Sequence, residues 1–190
     1  GAIDGLLELM RTGRSRGKKD ATLALLNIGL GNGHQAMSLL KKGTVLTVLE
    51  LLESEHNGDD RELSAELVAL LGVLARRPEG LVAVISGLAR VVPQLVQILV
   101  NGSDDAKERT AALLLAACAS SDDLVPLCPH LSSGSLSADL RRRLLGSPLL
   151  LPALKRLVVG GKPRAQRKAT SLLKVLQRRS PPPPPSSPSP

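Results

Sequence analysis

The 190-residue sequence contains no phenylalanine, tyrosine or tryptophan. The interior must therefore be built from Leu, Val, Ile and Ala side chains, which pack closely without ring contacts. The same absence disfavours nucleic acid as a partner, because proteins that hold single strands stack the bases on aromatic rings. Hydrophobic residues still make up 43% of the chain, which is enough for an ordinary packed domain.

Cysteine is also scarce. Cys118 and Cys128 lack the number and the spacing of a disulfide framework or a zinc site. We predict that both are small buried thiols in a protein of a reducing compartment, the cytoplasm or the nucleus.

The sequence also lacks an evident long apolar run. A membrane-spanning helix needs about 20 apolar residues, and no run in the sequence stands out as approaching that length. The most apolar region is interrupted by Pro126, Pro129, Pro148 and Pro152. Gly1 stands where an initiator methionine would, and no signal peptide follows it. We therefore expect a soluble protein without a membrane span, and we interpret the chain as the C-terminal piece of a longer one.

Acidic residues are absent from residues 147–190, which hold nine Lys and Arg. The preceding ranges 1–42, 43–90 and 91–146 carry net charges of +4, −4 and −1. The overall charge of +8 is thus concentrated at the C-terminal end, which suits an acidic protein surface as a partner.

Groups of residues typical of catalysis or metal binding are missing as well. His34, His56 and His130 each stand alone. Adjacent aspartates at 59–60, 104–105 and 122–123 lie in loops or at helix starts, where the backbone dipole explains them. We expect no catalytic residue, no metal and no cofactor in this stretch.

Two loops, at residues 29–33 and 53–60, contain residues that also occur in phosphate-binding or metal sites. The glycine-rich stretch 29–33 lacks the strand and helix that flank a phosphate-binding loop. It is predicted to be a helix end and turn that uses the positive φ angles glycine tolerates. The polar stretch 53–60, which contains His56, is predicted to be a solvated loop and not a metal site.

What the chain does contain is a repeated module. A turn glycine, basic residues, Ala-Thr or Thr-Ala and a Leu/Ala run recur as GRSRGKKDATLALLNI from Gly13, GSDDAKERTAALLLAA from Gly102 and GKPRAQRKATSLLKVL from Gly161, with LSAELVALLGVLA from Leu63 as a divergent copy. An apolar helical segment precedes each copy. Recurrence at about 40 residues predicts an α-solenoid, because one helix pair cannot bury its own apolar face and neighbours must stack.

Hydrophobic periodicity, broken by Gly and Pro, predicts helices over 2–10, 18–30, 34–41, 45–52, 63–75, 81–85, 91–100, 106–119, 137–145, 149–159 and 165–177. Asp105 and Glu108 have the spacing of a capping box at one helix start. The predicted solenoid spans 1–179 in four repeats, 1–42, 43–90, 91–135 and 136–179, with an irregular insertion at 120–135.

The tail 180–190 consists of Pro and Ser, and it is predicted to be disordered and polyproline-like. Together with Arg178 and Arg179 it matches the proline-rich pattern that Src-homology-3 grooves bind, which is the alternative to a mobile, solubilising tail.

Several of these segments resemble a known family. The pattern Ile3-x-x-Leu6-Leu7, the module GRSRGKKDATLALLNI and the restart GTVLTVLELL at Gly43 resemble the armadillo repeats of plant U-box ubiquitin ligases. The closing GKPRAQRKATSLLKVL resembles the last repeat of that family. The resemblance implies an all-α, armadillo-type solenoid, a right-handed superhelix, that binds protein substrates or regulators. The ubiquitin-conjugating enzyme would be recruited by a separate U-box, which is not in these residues.

The resemblance also implies a binding groove, lined by the helices that start near residues 18, 63, 106 and 165. An Asn in an Ala-Leu-x-Asn-Ile context in such helices bonds the backbone of an extended peptide, and Asn27 holds that position here. Its equivalents Gly72, Ala116 and Val175 do not carry the amide, so a regular Asn ladder is not implied.

Basic residues at helix starts complete the predicted protein-binding set: Lys18 and Lys19 in the first module, and Arg164, Arg167 and Lys168 in the last. They suggest surface use because positive charge opposes the dipole at a helix start. The alternative function is a non-ligase armadillo scaffold or transport adaptor that binds acidic or nuclear partners through the basic C-terminal end.

Overall fold

A computed structural model describes residues 1–54, 61–119 and 133–178. These residues form helices, and no strand occurs among them. The helices are α1 (Ala2–Thr12), α2 (Ser15–Gly31), α3 (Gly33–Lys41), α4 (Thr44–Ser54), α5 (Arg61–Leu74), α6 (Pro78–Leu88), α7 (Val92–Asn101), α8 (Asp104–Ala119), α9 (Ser133–Leu145), α10 (Leu150–Gly160) and α11 (Pro163–Gln177), with a 3-10 turn at Ala89–Val91. The predicted all-α solenoid is confirmed.

Each predicted helix is present, and the differences lie at the ends. Helix α2 begins at Ser15, before the predicted residue 18, so its basic residues lie inside the helix. Helix α6 is longer than predicted because Pro78 occupies its first turn, where the missing N–H is no loss. Helix α9 begins at Ser133, so residues 133–135 are helical and do not belong to the predicted insertion.

The turn between α2 and α3 forms where it was predicted, by a different mechanism. Asn32 adopts an extended conformation, and its side chain accepts a hydrogen bond from the Gln35 N–H at 2.9 Å. Positive φ is found only at Gly43 among the described residues. The predicted use of positive φ at 29–33 is therefore wrong. Gly29 instead permits close approach, because a Cβ there would lie 3.1 Å from Cγ1 of Val73.

The start of α8 is capped by Ser103. Its hydroxyl accepts a hydrogen bond from the Ala106 N–H at 3.2 Å, which satisfies one of the free donors of the first turn. The predicted capping box of Asp105 and Glu108 is wrong, since Asp105 already lies inside the helix.

The core of the described residues is aliphatic, as predicted. Its fully buried large side chains include Met10, Leu25, Leu39, Leu52, Leu63, Leu70, Leu88, Leu95 and Leu114. The buried threonines donate to nearby backbone carbonyls: Thr22 to the Lys18 oxygen at 2.7 Å and Thr110 to the Ala106 oxygen at 2.8 Å, both within one helix, and Thr44 of α4 to the Leu39 oxygen of α3 at 2.8 Å. Local bonds of this kind remove the penalty of burying a hydroxyl.

One helical stretch among the described residues, Pro78–Asn101, has the length and composition to cross a membrane. The expectation that no apolar run approaches this length is therefore wrong. The stretch comprises α6, the 3-10 turn and α7, and Val84, Leu88 and Leu95 in it have no exposed surface. The buried residues of the stretch belong to the solenoid core.

The loop predicted at 53–60 is wrong at its start, because residues 53 and 54 belong to α4. Three predicted features lie outside the described residues: the rest of that loop, 55–60, with His56; residues 120–132 of the insertion, with Cys128 and His130; and the proline tail at 180–190.

Candidate functional site

Four helices, α2, α5, α8 and α11, pack side by side in chain order, and we call them the helix row. They are the four helices that the resemblance to armadillo repeats implied would line a groove. The glycine that precedes α2, α8 or α11 makes the same hydrogen bond in each repeat, so residues at equal distances from these glycines are equivalent. The N–H groups of Gly13, Gly102 and Gly161 donate to the carbonyl oxygens of Leu9, Ile98 and Leu157 at 2.9, 2.8 and 3.0 Å.

Ion pairs join each helix of the row to the next. Lys19 of α2 bonds Glu62 of α5. Glu66 of α5 accepts a hydrogen bond from Arg109 of α8 at 3.4 Å. Asp105 of α8 accepts one from Lys162, the residue before α11, at 2.9 Å. Since most of these groups are substantially exposed, we expect the pairs to orient the helices more than to stabilise them.

The last pair shifts the protonation of both its members. The hydrogen bond from Lys162 lowers the pKa of Asp105 below its ordinary value of 3.8. The same bond raises the pKa of Lys162 above 10.5. Both groups therefore stay charged over a wider pH range than free side chains do.

Asn27, Gly72, Ala116 and Val175 occupy equivalent positions on the four helices of the row, and we call these positions the central strip. Asn27 is exposed, and the other three are partly exposed. A Cβ at Gly72 would meet no atom within 4 Å. The space beside Gly72 in the strip is therefore open.

The predicted basic residues fall into two different environments. Lys18 and Lys19 are half-buried, and Lys19 spans α2 and α5 through its bond to Glu62. Arg164, Arg167 and Lys168 are exposed on α11. The structure therefore separates the two groups, which lie at opposite ends of the row.

Helix α11 and the residue that follows it present what we call the basic face: Arg164, Arg167, Lys168, Lys174 and Arg178. None of the five forms an ion pair with another described residue. By the glycine equivalence, Arg167 holds the position of Lys19, whose ammonium reaches a carboxylate on the neighbouring helix. Arg167 has no such neighbour among the described helices, and its Nε donates to the Pro163 carbonyl at 3.3 Å.

Sequence reasoning missed the ion pairs of the row. A signal for two of them was present, because Lys19 and Glu62 are 43 residues apart, as are Glu66 and Arg109. Opposite charges separated by about one repeat length are candidates for bridges between neighbouring repeats.

The described residues hold no group of three or more His, Cys, Asp or Glu side chains that could bind a metal ion. Cys118 has no exposed surface, and burial raises the pKa of its thiol to about 11. A thiol of that kind is a poor nucleophile at neutral pH. The prediction of a buried structural thiol is confirmed for Cys118.

No model of a known protein family matches the chain. Similar sequences are U-box domain-containing protein 1 of Medicago truncatula, 33% identical over 75% of this chain and 18% of that protein, and U-box domain-containing protein 17 of Arabidopsis thaliana, 28% identical over 89% and 20%. The chain thus spans about a fifth of the length of the curated relatives it matches.

Two solved structures share the fold. The crystal structure of an engineered protein superposes with a TM-score of 0.56 over 93% of this chain and 79% of that one, at 18% identity. Computationally designed armadillo repeat proteins for modular peptide recognition give a TM-score of 0.54 over 90% and 80%, also at 18% identity. Over most of its length the chain is similar to part of plant U-box domain-containing proteins, and its fold is that of armadillo-repeat proteins.

Proposed function

We propose that the chain is a protein-interaction module that binds an extended segment of a partner along the central strip of the helix row. The observation that carries this proposal is the openness of the strip across adjacent helices, at Asn27, Gly72, Ala116 and Val175. Stacked helical repeats create long continuous surfaces of this kind, which solenoid proteins use for binding. The designed armadillo proteins of similar fold, made for peptide recognition, support the same choice.

The candidate contacts differ along the strip. Asn27 offers an exposed amide that both donates and accepts, which suits a peptide backbone. Near the other end, Arg164, Arg167 and Lys168 offer positive charge, which suits carboxylates of the partner. We therefore propose that the bound segment is acidic at the end that lies on α11.

Similarity to U-box domain-containing proteins supports a finer proposal. In the intact protein, this module would hold substrates or regulators for ubiquitination in the cytoplasm or nucleus. A U-box elsewhere in the protein, and not this stretch, would bind the ubiquitin-conjugating enzyme. Sequencing the transcript upstream of the Gly1 codon tests this: we expect a U-box reading frame.

A reading frame without a U-box would overturn the ligase proposal and favour the second candidate function. That candidate is a scaffold or transport adaptor for acidic or nuclear partners. The basic face of α11 favours it, because five exposed cations there have no carboxylate partner among the described residues.

The strip itself is tested by a substitution that fills its centre. Gly72→Arg places a long side chain in open space, and it also raises helix propensity, so the fold should be kept. The probes are peptides selected on the wild-type chain from a random library, with affinity measured by fluorescence anisotropy. We expect Gly72→Arg to weaken their binding by tenfold or more, about 1.4 kcal/mol.

Gly5→Arg is the matched control. Gly5 lies in α1, which is not one of the four helices of the row, and a Cβ there also meets no atom within 4 Å. Selected peptides that bind Gly72→Arg as tightly as the wild-type chain would show that the strip is not the binding surface.

A further inference from the structure

A second surface lies between α7 and α10. There a cleft of about 210 Å³ is lined by Leu99 and Val100 of α7, Lys107 of α8, and Pro152 and Arg156 of α10, with Leu149 at the start of α10. None of these residues belongs to the central strip. The volume is below that of ordinary small-molecule pockets, about 300–1,000 Å³, and it suits one or two side chains of a partner.

One exposed leucine, Leu149, lines this cleft, and other exposed aliphatic residues are near it in the sequence. Seven large aliphatic residues of the described chain are more than a third exposed, and four of them fall in residues 145–159. Leu149, which lines the cleft, is 48% exposed, as is Leu145, and Leu151 is 36% exposed. Leu149 therefore adds an accessible apolar side chain to the wall of the cleft.

The charges of the cleft are mainly positive. Lys107 and Arg156 line it, and neither forms an ion pair with another described residue. Asp104 also lines the cleft, which leaves one net positive charge. The surroundings add to this, because residues 147–190 contain no acidic residue. Apolar walls with a cationic rim complement a ligand that is both aliphatic and acidic.

We propose that this cleft binds a short segment of a partner protein in which a leucine-like side chain stands beside one or more carboxylates. The aliphatic side chain enters between Leu99, Pro152 and Leu149, and a carboxylate meets Arg156 and Lys107. A small anion alone would leave the apolar walls unused. This site is independent of the central strip and goes beyond the function proposed above.

The probe is a fluorescein-labelled peptide Gly-Glu-Glu-Leu-Leu-Glu-Glu-Gly, and its binding to the 190-residue chain is followed by anisotropy. Two control peptides replace the leucines by serine or the glutamates by lysine. We expect the leucine and glutamate peptide to bind at least about tenfold more tightly than either control, since both features contribute.

Matched variants then locate the site. Arg156→Glu should weaken peptide binding about tenfold or more, while Lys155→Glu should weaken it less than about threefold. Lys155 is the neighbouring exposed cation and does not line the cleft. Leu149→Asp should abolish binding, while Leu46→Asp, at a 52% exposed leucine of α4, should not change it. Circular dichroism spectra of all four variants should match that of the wild-type chain.

Equal weakening by Arg156→Glu and Lys155→Glu would overturn the proposal, because it would indicate attraction to the overall positive charge. Equal binding of the leucine and serine peptides would overturn it too. Gly72→Arg should leave binding of this probe unchanged, so failure here is distinguishable from failure of the strip.

Discussion

Leu9 and Leu157 occupy the same position in two repeats and have different environments. The carbonyl oxygen of each accepts a hydrogen bond from the glycine that ends its helix, Gly13 or Gly161. Leu157 is 5% exposed and Leu9 is 40% exposed. Helix α10 packs against α7, which precedes it in the stack, and no described helix holds the corresponding place beside α1.

This difference predicts unequal effects of the same substitution. Leu157→Ala should lower the free energy of unfolding by about 2–5 kcal/mol, because it leaves a cavity in the core. Leu9→Ala should lower it by about 1 kcal/mol or less, because much of that side chain is already in water. Urea unfolding of both variants measures the effects, and equal losses would contradict the prediction.

The bond between Asp105 and Lys162 predicts a dependence of stability on pH. The lowered pKa of Asp105 means that its contribution is complete above about 3.8 and is lost as the pH falls through the lower native value. The raised pKa of Lys162 means that its contribution is complete below about 10.5 and is lost as the pH rises through the higher native value. The wild-type chain should therefore unfold at a higher temperature than Asp105→Asn at pH 7, and the difference should shrink at pH 2.

Glu79→Gln is the control for that measurement. Glu79 lies in the first turn of α6, as Asp105 does in α8, but forms no ion pair with a described residue. It reports the interaction of a carboxylate with the helix dipole alone. If Glu79→Gln lowered the unfolding temperature at pH 7 as much as Asp105→Asn does, the effect would be due to the helix dipole and not to Lys162.

The exposed side-chain amide of Asn27 is expected to contact a peptide backbone. Asn27→Ala should weaken binding of a library-selected peptide by about 1 kcal/mol, because one or two hydrogen bonds are lost. Asn101→Ala removes an exposed amide that bonds Gln97 and lies outside the strip, so binding should not change. Calorimetric titration measures both affinities. If Asn27→Ala bound the peptide with unchanged affinity, Asn27 would have only a structural role and no contact with the peptide.

The basic face predicts charge-dependent binding. Reversal of Arg164, Arg167 and Lys168 to Glu should weaken binding of a glutamate-rich peptide and reduce its dependence on salt. The control reverses three exposed cations off α11, Lys41, Arg76 and Lys155. Anisotropy at several salt concentrations measures both. Similar losses in the two triple variants would remove the basic face as a specific site.

The thiol of Cys118 is expected to resist thiol reagents in the native chain. Its burial raises the pKa to about 11, and its carbonyl oxygen accepts a hydrogen bond from Arg141 of α9, which packs on this end of α8. In a Cys128→Ser background, an aromatic disulfide reagent should not react with the native chain within minutes and should react fully in denaturant. Rapid labelling of the native chain would show that α8 is open at this end.

Much of the fold was predictable because its signals are local. Leu and Ala at helical spacing, with Gly13, Gly43, Gly102 and Gly161 between helices, predicted the helices and their stacking. The candidate site was predictable only in part. The four helices of the row were identified, but Lys19 proved to be bonded to Glu62, because a basic residue at a helix start looks the same in sequence whether or not a carboxylate faces it.

The sequence by itself determined the all-α class, the aliphatic core and the concentration of positive charge at the C-terminal end, since composition and short-range periodicity suffice for these. The tertiary structure decided which charges pair, as in Asp105 with Lys162, and which leucines are exposed, as in Leu9 and Leu149. It also created the cleft between α7 and α10. These features depend on contacts between residues about 40 to 60 positions apart, which form only when the repeats stack.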